Sequence, residues 1–266
     1  MKGRVLVVAG SDSSGGAGIQ ADIKTITALG GYAATAITAI TAQDTHGVHG
    51  VMRVPPEIVV KQMRLVLDDI GADAIKVGML ADAETVEAVS DVLDDVMHIP
   101  LIVDPVMTAK GGATLMDGAA VEAMRRRLAL RATVLTPNIP EAEMLAGCKI
   151  DDVVMMEHTA ELLLTLGCKS VLLKGGHMVG DEIVDILATS DGLFRFEAPR
   201  VKSRHTHGTG CTLASAIAIS MAQGLSLQDS VARGRAYVQR AIATAPGYGG
   251  GHGPLNHAHT FERFHP

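Results

Sequence analysis

Residues 4–29, RVLVVAGSDSSGGAGIQADIKTITAL, place an apolar run, a glycine-rich segment and an amphipathic stretch in direct succession. An apolar run without alternation is typical of a strand buried on both faces, as in a parallel sheet covered by helices. From residue 17 to residue 29, apolar side chains recur at three- and four-residue spacing, which is typical of a helix with one buried side. The stretch therefore predicts a strand, a loop and a helix of an α/β protein.

The same alternation continues along the chain. Strand and helix in turn form βαβ units, which predict a three-layer α/β/α fold with a mainly parallel central sheet. Two alternating runs within 182–198, split by a Ser-Asp-Gly turn, predict an antiparallel hairpin at the sheet edge. Further strands are predicted at 33–42, 74–77, 101–104, 133–136 and 170–174, and helices at 56–70, 83–96, 118–128, 156–166, 210–223 and 227–245.

The chain of 266 residues shows no internal repeat, linker or break in composition. Its length suits one large α/β domain, so we predict a single domain over 1–266. The stretch 247–266 is rich in Gly and His. We expect it to be a loosely held tail.

The charge balance argues against nucleic acid as a partner. The 23 basic residues and 29 acidic residues give a net charge of −6, whereas proteins that bind along phosphates carry a basic surface. No apolar run approaches the ~18 residues that cross a bilayer, so we expect no membrane partner. The spacing of Cys148, Cys168 and Cys211 matches neither a disulfide framework nor a zinc ribbon, which favours the reducing cytoplasm.

The clearest chemical signal is the stretch 207–212, HGTGCT, directly before an apolar helix. Gly208 and Gly210 let the backbone around Thr209 turn its N–H groups toward a ligand at the helix start, which predicts an anion hole for phosphate. The same helix dipole favours a thiolate, so we expect Cys211 to act as a base or a nucleophile. The alternative is that Cys211 only packs inside the protein.

Polar residues also follow three of the predicted strands. Asp104, the pair Asn138 and Glu141, and Lys174 come at strand ends that converge on one edge of a parallel sheet. Carboxylates suit Mg²⁺, and a lysine balances the charge of a phosphoryl group. Glu141 as a helix-start acid and Lys174 as a solvated strand end remain alternatives. A Walker A loop is excluded because no Gly-Lys dipeptide occurs.

Taken together, these motifs resemble the ribokinase-like superfamily, and within it the hydroxymethylpyrimidine/phosphomethylpyrimidine kinases of thiamine biosynthesis. The resemblance covers almost the whole chain. It is carried by the first loop, AGSDSSGGAGIQADIKT, and by TAQD at 41–44, KVGML at 76–80, VDPVM at 103–107, TPNIPEAE at 136–143, LKGGH at 173–177, THGTGCTLASA at 206–216 and GPLNH at 253–257.

The resemblance implies an ATP- and Mg²⁺-dependent kinase that phosphorylates the hydroxymethyl group of 4-amino-5-hydroxymethyl-2-methylpyrimidine and then the resulting monophosphate. It also implies a homodimer. The residues that it implies at the pyrimidine are Gly10, Ala17, Asp22, Gln43, Met79 and Val106. An amide such as Gln43 offers both a donor and an acceptor to an aminopyrimidine edge.

For the phosphates, the resemblance implies that Asn138 and Glu141 act on the metal through water, that Asp104 lies by the metal and the phosphates, and that Lys174 holds nucleotide phosphate. It places Gly208, Thr209 and Gly210 in the anion hole. Cys211 stands where the sugar kinases of the superfamily usually carry an aspartate base.

Other functions remain open at this point. Pyridoxal kinases of the same superfamily tend to have Met at the position of Gln43 and a lid Cys at the position of Ala109. A thiol hydrolase or acyltransferase could use Cys211 with His207. The stretch 16–21, GAGIQA, also fits a dinucleotide fingerprint, although six residues separate it from the strand end. A binding protein without catalysis would not need converging acid, base and metal groups.

Overall fold

This computed structural model describes residues 2–108, 112 and 116–261. Nine strands of that part of the chain form one sheet. Their bounds are β1 Arg4–Asp12, β2 Tyr32–Gln43, β3 Val48–Arg53, β4 Ala74–Val77, β5 Leu101–Val103, β6 Val134–Leu135, β7 Ser170–Leu173, β8 Glu182–Thr189 and β9 Gly192–Pro199.

The strand order is β3-β2-β1-β4-β5-β6-β7-β8-β9. The six central strands, from β2 to β7 in that order, pair in parallel. β3 pairs antiparallel at one edge, and β8 and β9 form an antiparallel hairpin at the other. The predictions of a mainly parallel sheet and of an edge hairpin are both confirmed.

Helices cover both faces of the sheet. Their bounds are α1 Gly18–Ala28, α2 Pro56–Asp69, α3 Ala83–Asp94, α4 Gly118–Ala123, α5 Ile139–Ala146, α6 Val153–Leu164, α7 Thr209–Ala222 and α8 Leu227–Ala243. α4 continues as a π-helical segment over Met124–Ala129. None of the helices in the described ranges combines the length and apolarity needed to cross a bilayer.

The two faces of β1 belong to two separate cores. Leu6 and Val8 pack in the core that contains residues of α2 to α6. Val5 and Val7 pack in the core that contains residues of α1, α7 and α8. A strand between two apolar cores must be apolar at every position, which is why its sequence does not alternate. The prediction of three layers is confirmed.

Two elements were not predicted. β3 is exposed on most of its side chains, so it lacks the apolar pattern of a buried strand. α5 has eight residues and is capped at its start by Asn138. The sequence had indicated polar site residues at this strand end. β1 also runs three residues beyond its predicted end at Ala9, so the glycine-rich loop begins after Asp12.

The expectation of a loose tail is wrong for residues 247–261. Leu255 and His257 are buried, and the Tyr237 hydroxyl donates to the backbone carbonyl of His257 at 2.7 Å. A Cβ at Gly251 would lie 2.1 Å from the carbonyl oxygen of Thr45. Glycine therefore permits close backbone packing here and does not indicate a flexible segment. Residues 262–266, and the lid segment 109–114 apart from Gly112, lie outside the described residues.

Candidate active site

A cavity of about 720 Å³ opens where the parallel strands end. Its position agrees with the rule that ligands of α/β sheets bind at the carboxyl ends of the strands. The predicted site residues that line it are Gly10, Ala17, Gln43, Met79, Asp104, Val106, Asn138, Glu141, Lys174, Gly208, Thr209, Gly210 and Cys211.

The first turn of α7 forms one wall of this cavity. Its N-cap, Gly208, has φ +79°, and a Cβ there would lie 1.8 Å from the carbonyl oxygen of Gly16. No side chain caps the helix. Because the first N–H groups of a helix lack intrahelical partners, this turn provides backbone donors and a partial positive charge for an anion.

We expect Gly208→Ala to lower the free energy of unfolding by about 1–3 kcal/mol, because an alanine must hold a left-handed backbone conformation against a carbonyl oxygen. Urea unfolding followed by circular dichroism measures this change. Gly118→Ala is the control, since a Cβ at Gly118 meets nothing within 4 Å. Equal stability of the two variants would contradict the requirement for glycine at position 208.

Lys174 and Asp104 form an ion pair beneath this turn. Lys174 Nζ lies 2.8 Å from Asp104 Oδ1, and the two side chains are 13% and 2% exposed. Burial alone would raise the pKa of Asp104, but the lysine cations Lys174 and Lys76 lower it. A Cβ at Gly210 would lie 3.2 Å from Lys174 Nζ. A cation and an anion hole are therefore adjacent, as a phosphate site requires.

Cys211 lies in the same turn, half-buried, but the expectation that the helix dipole favours its thiolate is wrong. Burial raises the pKa of the Cys211 thiol to about 12, and Lys76 offsets only part of this effect. The carboxylates of Asp22 and Asp104 oppose ionisation further. Desolvation of a charged sulfur therefore outweighs the stabilisation that Lys76 and the Gly18 backbone N–H give to the thiolate.

Asn138 and Glu141 form a capping box at the start of α5. Asn138 Oδ1 accepts from the Glu141 backbone N–H at 2.9 Å, and Glu141 Oε2 accepts from the Asn138 N–H at 2.8 Å. The helix-start role that was kept as an alternative for Glu141 is thus present, on a side chain that also lines the cavity. Burial raises the pKa of Glu141 to about 7.

This pKa predicts a pH dependence of stability. Between the ordinary pKa of 4.5 and about 7, the folded protein keeps a proton that the unfolded chain has released. Stability from this group is therefore highest below pH 4.5, falls as the pH rises to about 7 and is constant above. Glu141→Gln keeps the capping box and removes the titration.

We expect the stability of the wild type relative to Glu141→Gln to fall by about 3 kcal/mol across that pH range. Urea unfolding of both proteins, without ligands, measures the difference. The comparison is needed because burial lowers the pKa of His257 to about 4, which makes stability rise with pH in an overlapping range. Parallel curves for the two proteins would refute the raised pKa.

The prediction that Asp22 lines the pyrimidine pocket is wrong. Asp22 is fully buried below the cavity, where its carboxylate lies 3.0 Å from Lys76 Nζ and accepts from Ser215 Oγ at 2.6 Å. Lys76 itself lines the cavity and was not predicted as a site residue. Its signal was a lysine inside the buried strand 74–77, AIKV, because buried lysines are almost always paired.

The opposite end of the cavity was not predicted from sequence. It is lined by residues that follow or belong to the edge hairpin and by residues of α8, including Ile183, Val201, Val238 and Ile242. Asp185 accepts from Arg235 Nε at 2.7 Å, which ties the hairpin to α8. An apolar recess of this kind has the chemistry to hold an aromatic ring.

Within the described ranges, no group of three or more His, Cys, Asp and Glu side chains has the arrangement of a metal site. Mg²⁺ does not need such a group. It keeps several waters and commonly binds one or two carboxylates together with substrate phosphates. Asp104 and Glu141 beside Lys174 fit that type of donor set.

Comparison with known proteins identifies the family to which the chain belongs. The family model described as phosphomethylpyrimidine kinase matches residues 12–256. The chain is 50% identical, over 96% of its length, to the thiamine biosynthesis bifunctional protein ThiED of Geobacter sulfurreducens, of which it spans 52%. It is 47% identical to the hydroxymethylpyrimidine/phosphomethylpyrimidine kinase of Streptomyces coelicolor, with 95% of this chain and 93% of that one covered.

Solved structures share the fold. A phosphomethylpyrimidine kinase from Clostridium difficile aligns with a TM-score of 0.81 at 41% identity and covers 91% of this chain and 100% of its own. An ADP complex of Bacillus subtilis pyridoxal kinase aligns with a TM-score of 0.90 at 31% identity and covers 97% and 98%. Both kinds of kinase therefore share this architecture.

Proposed function

Since the chain belongs to the phosphomethylpyrimidine kinase family, we propose that it uses ATP to phosphorylate the hydroxymethyl group of 4-amino-5-hydroxymethyl-2-methylpyrimidine and then the monophosphate, in thiamine biosynthesis. Its fold is ribokinase-like, and its family consists of kinases. One matched relative is a bifunctional protein of thiamine biosynthesis, of which this chain spans about half. The other relatives described above are kinases by name.

One observation carries the proposal. A single cavity holds an amide that can recognise a pyrimidine, Gln43, and a phosphate site built on Lys174 and the start of α7, with Cys211 also on its wall. A kinase of this type must hold its acceptor alcohol and its phosphate donor in line, with polar groups aimed at the transferring phosphoryl group. The other end of the cavity, beside α8, offers space for the adenine base.

In the proposed mechanism, the N–H groups of Gly210 and Cys211 and the ammonium of Lys174 stabilise charge on the transferring phosphoryl group. Cys211 first releases its own proton to solvent, and its thiolate then accepts the proton of the substrate alcohol. Because the pKa of its thiol is about 12, little thiolate exists at neutral pH, and electrostatic stabilisation supplies most of the rate. We propose that Asp104 and Glu141 hold Mg²⁺ with Asn138 close by, where the ion would neutralise phosphate charge.

A pyridoxal kinase is the second candidate. Structures with that name align with this chain at 31–34% identity, whereas matched relatives named hydroxymethylpyrimidine/phosphomethylpyrimidine kinase are 41–47% identical to it. Gln43 on the cavity wall favours the aminopyrimidine, because its amide can pair with a donor and an acceptor on one ring edge. Ala109, at whose position pyridoxal kinases tend to have a lid cysteine, lies outside the described residues.

Initial rates with ATP and Mg²⁺ test the proposal. The pyrimidine alcohol, its monophosphate and pyridoxal are compared at equal concentration in a coupled assay for ADP. We expect both pyrimidines to react with a higher kcat/KM than pyridoxal, and chelation of Mg²⁺ to abolish the activity. A higher kcat/KM for pyridoxal would replace the proposal with the second candidate.

We further propose that the chain works as one kinase domain in the cytoplasm and as a homodimer. The unpaired state of its three cysteines suits a reducing compartment. Ile40 and Met52 are cross-strand partners on the ribbon of β2 and β3, and they are 45% and 60% exposed. An exposed apolar pair on a two-stranded ribbon is typical of a surface covered by another protein.

Met52→Glu tests the dimer. We expect the wild type to sediment at twice the chain mass of 27.7 kDa and Met52→Glu at the chain mass, because a buried charge opposes the contact. Val154→Glu is the control, since Val154 is 67% exposed on α6, which packs on β7 and β8 toward the opposite end of the sheet. A wild type that sediments as a monomer would refute the dimer.

A further inference from the structure

His207 connects two polar side chains at the Gln43 end of the cavity. Its imidazole is 5% exposed. Nε2 lies 2.8 Å from Asp12 Oδ2 and 3.3 Å from Gln43 Nε2. The mechanism above uses none of these contacts, although Gln43 is the residue that recognises the pyrimidine in it.

Asp12 determines which nitrogen of His207 carries a proton. Its Oδ2 accepts from the Ala17 N–H at 2.8 Å and from Ser14 Oγ at 2.9 Å, as well as from His207. These hydrogen bonds outweigh burial and lower the pKa of Asp12. An ionised carboxylate can only accept hydrogen bonds. His207 must therefore hold a proton on Nε2 and donate it.

That proton has a consequence for Gln43. If the amide nitrogen of Gln43 faces Nε2–H, two donors face each other. A second conflict lies at the other end of the amide. The single hydroxyl proton of Thr41 goes to the Ser11 carbonyl at 2.9 Å, yet Gln43 Oε1 lies 3.2 Å from the same Oγ1. Two acceptors would then meet without a proton between them.

Turning the Gln43 amide by half a turn removes both conflicts. Its carbonyl oxygen then accepts, together with Asp12 Oδ2, a three-centre hydrogen bond from His207 Nε2–H in which Asp12 is the nearer acceptor, and its NH₂ group donates to Thr41 Oγ1. The shape of the side chain does not change, because the two ends of an amide are nearly equal in size. Each contact among Asp12, His207, Gln43 and Thr41 then joins a donor to an acceptor.

The surroundings hold His207 in this position. A Cβ on Gly16 would lie 2.4 Å from His207 Cδ2, so the ring lies directly against the backbone of the first loop. The backbone N–H of His207 donates to the Gly253 carbonyl at 3.2 Å. The imidazole therefore has a fixed place between the first loop and the packed C-terminal segment.

We propose that His207 is a positioning residue for substrate recognition, whose Nε2–H is shared between Asp12 Oδ2 and the Gln43 carbonyl and thereby presents the amide to the ligand in one orientation. The ligand class is a heteroaromatic ring with an amino donor next to a ring nitrogen acceptor. This inference rests on the proposed function. It extends that function by proposing that the Asp12–His207 pair fixes the orientation in which the Gln43 amide selects its ligand.

A double-mutant cycle tests the proposal. We expect His207→Met to raise the KM for the pyrimidine alcohol about tenfold, with kcat and the KM for ATP each changed by less than about threefold. His207→Gln keeps an N–H donor and should recover most of the affinity. In a Gln43→Met background, His207→Met should change KM by less than about twofold, because the two residues act as one unit. Independent, additive effects would overturn the proposal.

A measurement on the wild type needs no variant to fold and no turnover. The ¹⁵N chemical shifts of the His207 ring, in the protein without ligands, report its tautomer. We expect the proton on Nε2, and a neutral ring protonated only on Nδ1 would overturn the proposal. If the wild type failed to phosphorylate the pyrimidine alcohol, the proposed function would be refuted. The tautomer measurement would still test the hydrogen bonds proposed for His207, because it does not depend on activity.

Discussion

Cys211→Ala is expected to lower kcat for the pyrimidine alcohol by about 10²–10⁴-fold, the usual range for loss of a general base. The physical reason is the position of the thiol on the cavity wall, in the same helical turn as the anion hole. Binding of ADP should stay within about threefold, since the phosphate site uses backbone groups and Lys174. A coupled ADP assay and isothermal calorimetry measure the two quantities.

The pH profile separates a base from a merely space-filling side chain. Because the pKa of the Cys211 thiol is about 12, the fraction of thiolate grows about tenfold per pH unit at lower pH. We expect the kcat of the wild type to rise from pH 6.5 to 9 in that proportion. Cys211→Asp carries a base with a far lower pKa, so it should recover part of the activity with a flatter profile.

Cys148→Ala is the matched control, because Cys148 is also half-buried but lies in the loop between α5 and α6. It should leave kcat within about twofold. Near-normal turnover of Cys211→Ala would show that the thiol does not accept the proton. The electrostatic part of the proposed mechanism would then have to account for the whole rate.

Lys76→Met is expected to lower the free energy of unfolding by about 3–5 kcal/mol, because it leaves the carboxylate of Asp22 buried without its cation. Both partners are fully buried and lie 3.0 Å apart. Most of the expected loss comes from the free energy of leaving one charge buried without a partner, and less of it comes from the lost attraction between the two charges. Urea unfolding followed by circular dichroism measures the loss.

Two further variants make this prediction specific. Asp22→Asn in the Lys76→Met background removes the unpaired charge and keeps an acceptor for Ser215, so it should recover at least half of the lost stability. Lys149→Met removes a lysine at the same distance of 3.0 Å from Glu143, but that lysine is 81% exposed. Its loss should cost less than about 1 kcal/mol. Similar losses for both lysine variants would contradict the explanation.

The pH dependence of Lys76→Met gives an independent check. Burial already raises the pKa of Asp22 in the wild type, although Lys76 opposes that shift. Without the Lys76 cation the folded pKa rises further, so the folded variant binds the proton more tightly than the folded wild type does. Stability of the variant relative to the wild type should therefore recover as the pH is lowered. A constant difference between the two proteins at all pH values would argue that lost packing, not charge, causes the destabilisation.

The sequence alone determined the architecture and most of the site. Continuous apolar runs such as 4–9 and helical spacing such as 17–29 report burial directly, because a strand between two helical layers must be apolar on both sides. Strand ends then locate the ligand edge. The residues placed there by sequence, including Asp104, Lys174 and Gly208, do line one cavity.

The tertiary structure decided what depends on contacts between distant residues. Asp22 and Lys76 are 54 positions apart, and only their pairing explains why Asp22 is buried below the cavity instead of lining it. The Asp12–His207 contact joins residues 195 positions apart. The pKa of Cys211 reverses the expectation from the helix dipole, because burial depends on everything packed around the thiol. Local pattern records the burial and periodicity of each segment, whereas charge pairing and desolvation arise only when the segments meet.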